Sequence, residues 1–195
     1  MNLKIITAPT IEPLTLTEAK AHLRVTSTAD DTLITTLIKV ARQQCENFTG
    51  RALASATFEL IMDSFPNGNI ELPMTPVESV TSIKYKDSDN VETTWSSAEY
   101  IFYNSEPAVI NLAYNKSYPT FTPYPIGAVK IRFVAGYKLS GTDASLIIPE
   151  VIKQALLLQI STLYENRENI IIGQTVAEMT FGTKSLLYPY KIFSF

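Results

Sequence analysis

Residues with the chemistry most often used in catalysis are few in this sequence. His22 is the one histidine, so there is no second histidine to build a metal pair or a proton relay. Cys45 is the one cysteine, and its position on an apolar helical stripe predicts a buried thiol rather than a nucleophile. No Gly-x-Ser-x-Gly elbow and no glycine-rich phosphate loop occurs. The sequence therefore predicts no catalytic site, no cofactor and no metal.

Two polar clusters could carry chemistry. Asp87 and Asp89 could ligate a cation, but the same residue types bond their own backbone in a hairpin turn, which is the preferred interpretation. Glu165, Arg167 and Glu168 could form a polar active-site cluster. A solvated helix end or a salt-bridged contact with a neighbouring subunit is preferred for these three residues, which makes them candidate protein contacts.

Composition indicates a globular chain with little surface charge. Hydrophobic residues make up 46% and charged residues 18% of the 195 residues, whereas about 25% charged residues is usual. The net charge is −3 and no run of like charge occurs, so sequence-specific DNA binding is not expected. No apolar stretch approaches the roughly 18 residues of a membrane span. The cytosol is the expected compartment.

The elements that must position these residues follow the order helix, strands, helix. Thr15 and Glu18 form a capping-box pattern before a short helix. A second helix carries an apolar stripe at spacings of three and four and ends at Gly50. The stripe consists of Leu33, Ile34, Leu37, Ile38, Ala41, Cys45 and Phe48. Pro149 suits the first turn of a third helix that runs to about residue 166.

Between Ala56 and Ala135 apolar residues alternate with more polar ones over short stretches, a pattern typical of β-strands. Phe58, Leu60 and Met62 alternate with less apolar residues, and the turn at 66–69 predicts a hairpin with residues 70–72. Further strands are expected within residues 80–85, 91–95, 100–103, 109–112 and 129–134. Three prolines predict an irregular loop over residues 114–125.

Together these patterns predict an α+β fold. Helices from the N- and C-terminal parts are expected to pack as a small bundle, with a central β-rich insertion resembling a sandwich or barrel. The expected division is residues 1–54 for the N-terminal helical part, 55–140 for the insertion, and 141–195 for the C-terminal helix and tail, which pack with the N-terminal helices.

An aromatic tail closes the chain. Residues Phe181 to Phe195 are expected to form an assembly arm that docks on another protein and orders on binding, and the alternative is a segment that folds back on its own helices. Its candidate contact residues are Leu187, Tyr188, Tyr190, Phe193 and Phe195.

Several short stretches also occur in a characteristic order along the chain. They are Glu12-Pro13-Leu14-Thr15-Leu16-Thr17-Glu18-Ala19-Lys20, His22-Leu23-Arg24-Val25, Thr49-Gly50-Arg51-Ala52-Leu53, Phe133-Val134-Ala135-Gly136-Tyr137, Pro149 with Ile152-Lys153-Gln154-Ala155, Tyr164-Glu165-Asn166-Arg167-Glu168, and Pro189-Tyr190 before Phe195. In this order they resemble the head-tail connector, or adaptor, proteins of long-tailed bacteriophages and prophages.

The resemblance implies a structural virion protein that is not an enzyme. It implies a homo-oligomeric ring of about twelve copies below the portal protein at the head-tail junction of the virion. Such a ring extends the DNA channel, through which DNA passes during packaging without sequence-specific binding, and offers a platform for tail or stopper proteins. No membrane is involved.

Three alternatives remain open at this point. The chain could be another tail-completion or stopper protein, although a stopper is expected to be mostly strands. It could be a β-rich binding module. A small hydrolase that uses His22 or the cluster of Glu165, Arg167 and Glu168 is the remote alternative, and it requires a cleft that joins those groups.

Overall fold

A computed structural model describes residues 1–138, 147–166, 170–171, 174–175 and 179–192. The chain divides into two compact units. Met1–Thr10 and Ala54–Tyr137 form the first, here called the β unit, and Ile11–Leu53 and Lys138–Phe195 form the second, the helical unit.

The β unit contains a five-stranded and a three-stranded sheet, both antiparallel. The larger sheet has the order β1-β2-β8-β4-β5, and the smaller has the order β3-β7-β6. The strands are β1 Asn2–Thr7, β2 Ala56–Met62, β3 Ile70–Leu72, β4 Val77–Lys86, β5 Glu92–Trp95, β6 Tyr100–Tyr103, β7 Ala108–Leu112 and β8 Val129–Ala135.

The core of this unit is formed by strands β2 and β8, in which buried residues alternate with more exposed ones. Every second residue of β2 is buried, from Ala56 to Met62, and the same holds for β8. The rings of Phe58 and Phe133 stack at 5.7 Å between centroids. Burying an aromatic side chain of this kind stabilises a fold by about 1.5–3 kcal/mol, so this inner face carries much of the unit's stability.

The predicted hairpin between β2 and β3 is wrong. β2 pairs with β1 and β8, whereas β3 pairs with β7 in the smaller sheet. The polar turn at 66–69 therefore links two different sheets instead of closing a hairpin. In contrast, β4 and β5 do form a hairpin across the turn at 87–90.

The proline-rich loop over residues 114–125 lacks helix and strand, as predicted. It packs through aromatic rings. Tyr118 stacks on Phe65 at 4.9 Å between centroids, and Phe121 lies 4.7 Å from Tyr85. The buried Trp95 completes this cluster.

The helical unit contains four helices among the described residues, α1 Leu16–Leu23, α2 Asp31–Thr49, α3 Glu150–Glu165 and α4 Phe181–Leu187. A short antiparallel pair, β9 Ile170–Ile171 and β10 Gln174–Thr175, lies between α3 and α4 in sequence. α2 and α3 pack against each other. Gln159 donates to Gln44 at 2.8 Å, and the Tyr164 hydroxyl donates to Asp30 at 2.6 Å.

Helix boundaries follow the sequence signals closely. Gly50 ends α2 with a φ of 71°, the left-handed conformation that glycine adopts easily. Pro149 is the residue before α3 rather than part of its first turn. On the apolar stripe of α2, Ile34, Ile38 and Cys45 are buried. The α+β class is confirmed, while the bundle and barrel details stay predictions.

The capping box of α1 offers a direct test of local stability. The Glu18 amide donates to the Thr15 hydroxyl at 3.2 Å, and the Thr15 amide donates to the Glu18 carboxylate at 2.7 Å. Thr15→Ala is expected to cost about 0.5–2 kcal/mol in urea unfolding. The control Thr17→Ala, at an exposed site within the same helix, should be close to neutral.

The Thr15 hydroxyl also donates to the Glu18 carboxylate at 2.6 Å, and this bond, followed by the bond from the Thr15 amide, lowers the pKa of Glu18. A lowered pKa in the folded state means that the contribution is present at neutral pH and lost as pH falls through the folded-state pKa. The Thr15→Ala penalty should therefore shrink in acid. A penalty that stays constant down to the lowest pH at which the protein folds would contradict this account of the cap.

Candidate assembly surface

Two of the side chains that could act in catalysis, those of Cys45 and Asp87, have structural roles. Cys45 is fully buried on α2, and burial raises the pKa of its thiol to about 12, with the nearby Glu46 carboxylate as a second cause. Asp87 closes the β4–β5 turn by accepting from the Asp89 and Val91 amides at 3.0 and 2.9 Å. No group of three or more acidic, histidine or cysteine side chains suited to a metal occurs among the described residues.

Within the described part of the chain, no helix has the length and apolarity needed to span a membrane.

The C-terminal segment packs on its own helical unit as far as Ile192. α4 begins after Thr180, whose hydroxyl accepts from the Thr183 amide at 3.4 Å. The segment then forms a 3-10 turn, Tyr188–Tyr190. The Arg51 Nε donates to the Tyr190 carbonyl at 2.5 Å, and the Ile192 amide donates to the Thr49 carbonyl at 2.8 Å. Residues 181–192 therefore follow the second of the two interpretations of the tail, a segment that folds back on its own helices.

The candidate contact residues occupy different environments. Leu187 is 0% exposed, Tyr188 is 60% exposed, and Tyr190 is partly buried beneath the Arg51 guanidinium, which lies 6.0 Å from the ring centroid. Glu165 is exposed at the end of α3. The predictions for Arg167, Glu168, Phe193 and Phe195 fall outside the described residues.

An open groove of about 470 Å³ runs beside α4 and the 3-10 turn. The side chains that line it combine aromatic rings with two lysines, namely Phe48, Phe181, Lys184, Ser185, Tyr188, Pro189 and Lys191. Phe181 is 87% exposed, and the Lys191 ammonium lies 5.3 Å from the centre of the Phe48 ring. Exposed aromatic rings rimmed by polar groups are typical of protein-binding surfaces. Here we call this feature the aromatic groove.

Phe48 and Phe181 were not predicted from the sequence to be surface contact residues. Phe48 lies on the apolar stripe of α2, and Phe181 is the first residue of α4. The signal for Phe181 was the Thr180 cap. A helix that begins after this cap buries Thr183 and Leu187 and leaves its first residue, Phe181, exposed to solvent.

Comparison with known proteins agrees with the fold. A chain from the neck of an empty gene transfer agent (GTA) particle, computed with C6 symmetry, is 26% identical with a TM-score of 0.80. A chain from the virion of the native GTA particle is 26% identical with a TM-score of 0.78. A chain from the neck of the native particle, computed with C12 symmetry, is 25% identical with a TM-score of 0.74. Each match covers 100% of this chain and 97% of the other.

No curated protein matches the sequence significantly. A family model, however, matches residues 13–116, which is more than half of the chain. That stretch contains the capped α1, all of α2 and six strands of the β unit, β2 to β7. The matched model is that of the phage gp6-like head-tail connector proteins, and the chain belongs to this family.

Proposed function

We propose that this chain is a structural subunit of a virion's head-tail junction, which forms a ring below the portal, extends the DNA channel and offers a platform to tail or stopper proteins. The observation that carries the proposal is the match over the whole chain to a subunit of a particle neck, at a TM-score of 0.80. Similar chains lie in necks computed with C6 and C12 symmetry, which supports a closed ring of this chain.

The same proposal assigns no catalytic role. Burial raises the pKa of the Cys45 thiol, which disfavours the thiolate that a nucleophile needs. The Asp87 carboxylate accepts from the Asp89 and Val91 amides of its own turn. The function then rests on surfaces that hold subunits and partners together.

The aromatic groove is the surface we assign to contact with the portal or an adjacent subunit. Tyr188 and Phe181 are exposed aromatic side chains on a segment that is anchored by Leu187 and by the Tyr190 carbonyl. Aromatic side chains provide a large contact area with few rotatable bonds, and tyrosine is enriched among the residues that dominate the energy of an interface. The predicted contacts of Glu165, Arg167, Glu168, Phe193 and Phe195 belong to the same proposal.

Paired substitutions at neighbouring positions test this assignment. Tyr188→Ser is expected to keep the native melting temperature and to weaken incorporation into heads by about tenfold or more, since hot-spot side chains are worth about 2 kcal/mol or more. Tyr188→Phe retains the ring and should incorporate normally. Incorporation is measured by counting subunits in purified particles.

The buried neighbour provides the contrasting control. Leu187→Ala removes a fully buried side chain and should cost about 2–5 kcal/mol of stability. Normal incorporation of Tyr188→Ser would remove the aromatic groove from the proposal. Loss of folding in that variant would place Tyr188 in the core instead of at an interface.

A further inference from the structure

On the outer face of the five-stranded sheet, lysine and arginine side chains from distant parts of the sequence lie close together. The inner face holds the buried residues of β2 and β8, so the intervening positions point outward. Strand register places Lys4 beside Glu59 and Glu59 beside Arg132. In the next row Lys130 lies beside Lys84, and beyond them Lys86 pairs with Glu92. We call these seven residues the charged face.

The charged face is positive although the chain is acidic. Its five cations and two carboxylates give a net charge of +3, against −3 for the whole chain. Glu78 stands at a bulge of β4, where alternation is interrupted, and counting it leaves +2. The linear sequence hides this feature because the cations come from three strands, β1, β4 and β8, and none of them belongs to a run of like charge.

Two carboxylates hold most of these cations. Glu92 accepts from Lys84 at 2.9 Å and from Lys130 at 3.1 Å, while Glu59 accepts from Arg132 at 2.8 Å. Hydrogen bonds from Lys84 and then Lys130 lower the pKa of Glu92 to about 2. The carboxylate therefore remains ionised throughout the physiological range and continues to neutralise both lysines.

The chemistry of the face favours a hydrated phosphate partner over another protein. Its side chains are mostly lysine and glutamate, the types that are depleted at the centre of protein interfaces. Lysine ammonium groups are compact, strongly hydrated point charges that suit phosphate contact without base readout. Between the ion pairs lies a polar depression of about 110 Å³. It is lined by Ser82 and by members of the charged face, namely Glu59, Lys84, Glu92, Lys130 and Arg132.

We propose that the charged face contacts the phosphate backbone of duplex DNA without reading its sequence, and that Glu59 and Glu92 keep this contact weak. Duplex DNA carries closely spaced phosphates, so clustered cations are attracted to it, while paired carboxylates reduce the number of counterions that binding releases. A weak contact of this kind orients DNA and lets it move. Its place within a connector channel rests on the proposed function, but the contact itself is a property of the single chain.

The test measures binding of the purified full-length protein to a mixed-sequence DNA duplex over a series of NaCl concentrations. Each phosphate contact contributes about 0.9 to the slope of log affinity against log salt. The double variant Glu59→Gln/Glu92→Gln should bind more tightly at low salt, with a slope steeper by about two to three. The triple variant Lys84→Gln/Lys130→Gln/Arg132→Gln should lose binding at every salt concentration.

Two controls separate local effects from net charge. Glu71→Gln removes an exposed carboxylate from the smaller sheet, and Lys39→Gln removes an exposed cation from α2. Neither should change the slope by as much as one. Thermal melting checks that each variant is folded, and a variant that fails is replaced by single substitutions at Glu92 and Lys130.

Several results would overturn the inference. One is an equal effect of Glu71→Gln and the double variant, which would mean that net charge alone matters. Another is a triple variant that binds DNA as the unsubstituted protein does but no longer assembles, because the face would then be a subunit contact. Failure of this inference can be distinguished from failure of the ring proposal, because a subunit that never joins a ring can still bind DNA with the predicted salt slopes.

Discussion

Gly136→Ala is expected to destabilise the β unit severely. Gly136 has a φ of 129°, a conformation that residues with a side chain rarely adopt, and its amide donates to the Pro76 carbonyl at 2.9 Å. An added Cβ would overlap the backbone of Ala54 and Ser55. Strained φ values cost about 1–3 kcal/mol, and steric overlap with a backbone that cannot move aside adds a similar amount.

A matched glycine isolates the effect. Gly68 lies in the exposed turn before β3, and an added Cβ there meets nothing within 4 Å. Gly68→Ala should leave the urea midpoint nearly unchanged, while Gly136→Ala should lower it strongly or prevent folding. Similar midpoints for the two variants would show that the close approach of Gly136 to Ala54 is not needed for folding.

Arg42→Met is expected to cost about 3–5 kcal/mol, because it leaves buried carboxylates without their cation. Arg42 is 7% exposed and donates to Glu12 at 2.7 Å and to Glu46 at 2.6 Å. The other Glu46 oxygen accepts from the Leu53 amide at 2.9 Å. Burial opposes the charged form of Arg42, but the two carboxylates outweigh it and raise the pKa of the guanidinium.

An exposed pair serves as the comparison. Lys116 and Glu99 are bonded at 3.0 Å, with the Lys116 side chain 41% exposed. Lys116→Met should cost less than about 1 kcal/mol, as surface pairs usually do. Both variants are compared by urea unfolding. Equal losses would mean that the pair of Arg42 with Glu12 and Glu46 behaves as a surface ion pair, contrary to its burial.

Local signals in the sequence predicted much of the fold. The capping box at Thr15 and Glu18, the stripe of α2 and the hairpin between β4 and β5 each depend on residues close in sequence. The family resemblance likewise rested on short ordered stretches, and the family model confirms it.

Features that depend on distant residues were not predictable in this way. β1 lacks an alternation of buried and exposed residues, since nearly all its residues are exposed. Asn2–Thr7 was therefore not predicted as a strand, although it contains β-branched residues. The partner of β3 lies far along the chain in β7. The ion pair between Glu12 and Arg42 joins residues 30 positions apart. Linear patterns do not contain such pairings.

The same limit applies to the candidate surfaces. Tyr188 and Tyr190 were selected for their aromatic character, and the structure assigns the exposed role to Tyr188. Leu187 was selected as an apolar residue of the same tail, yet it is fully buried. Which side chains of a short amphipathic segment face solvent depends on where the segment docks, and that docking is made by Arg51 and Thr49 from another helix end.

We propose above all that this chain forms a closed ring at a head-tail junction. Native mass measurement of the purified full-length protein, with and without the portal protein from the same gene cluster, tests it most directly. We expect a single assembly with the portal that contains a fixed number of copies, about twelve, as closed symmetry requires. A chain that stays monomeric with the portal present, or that forms open-ended oligomers of mixed length, would contradict the claim.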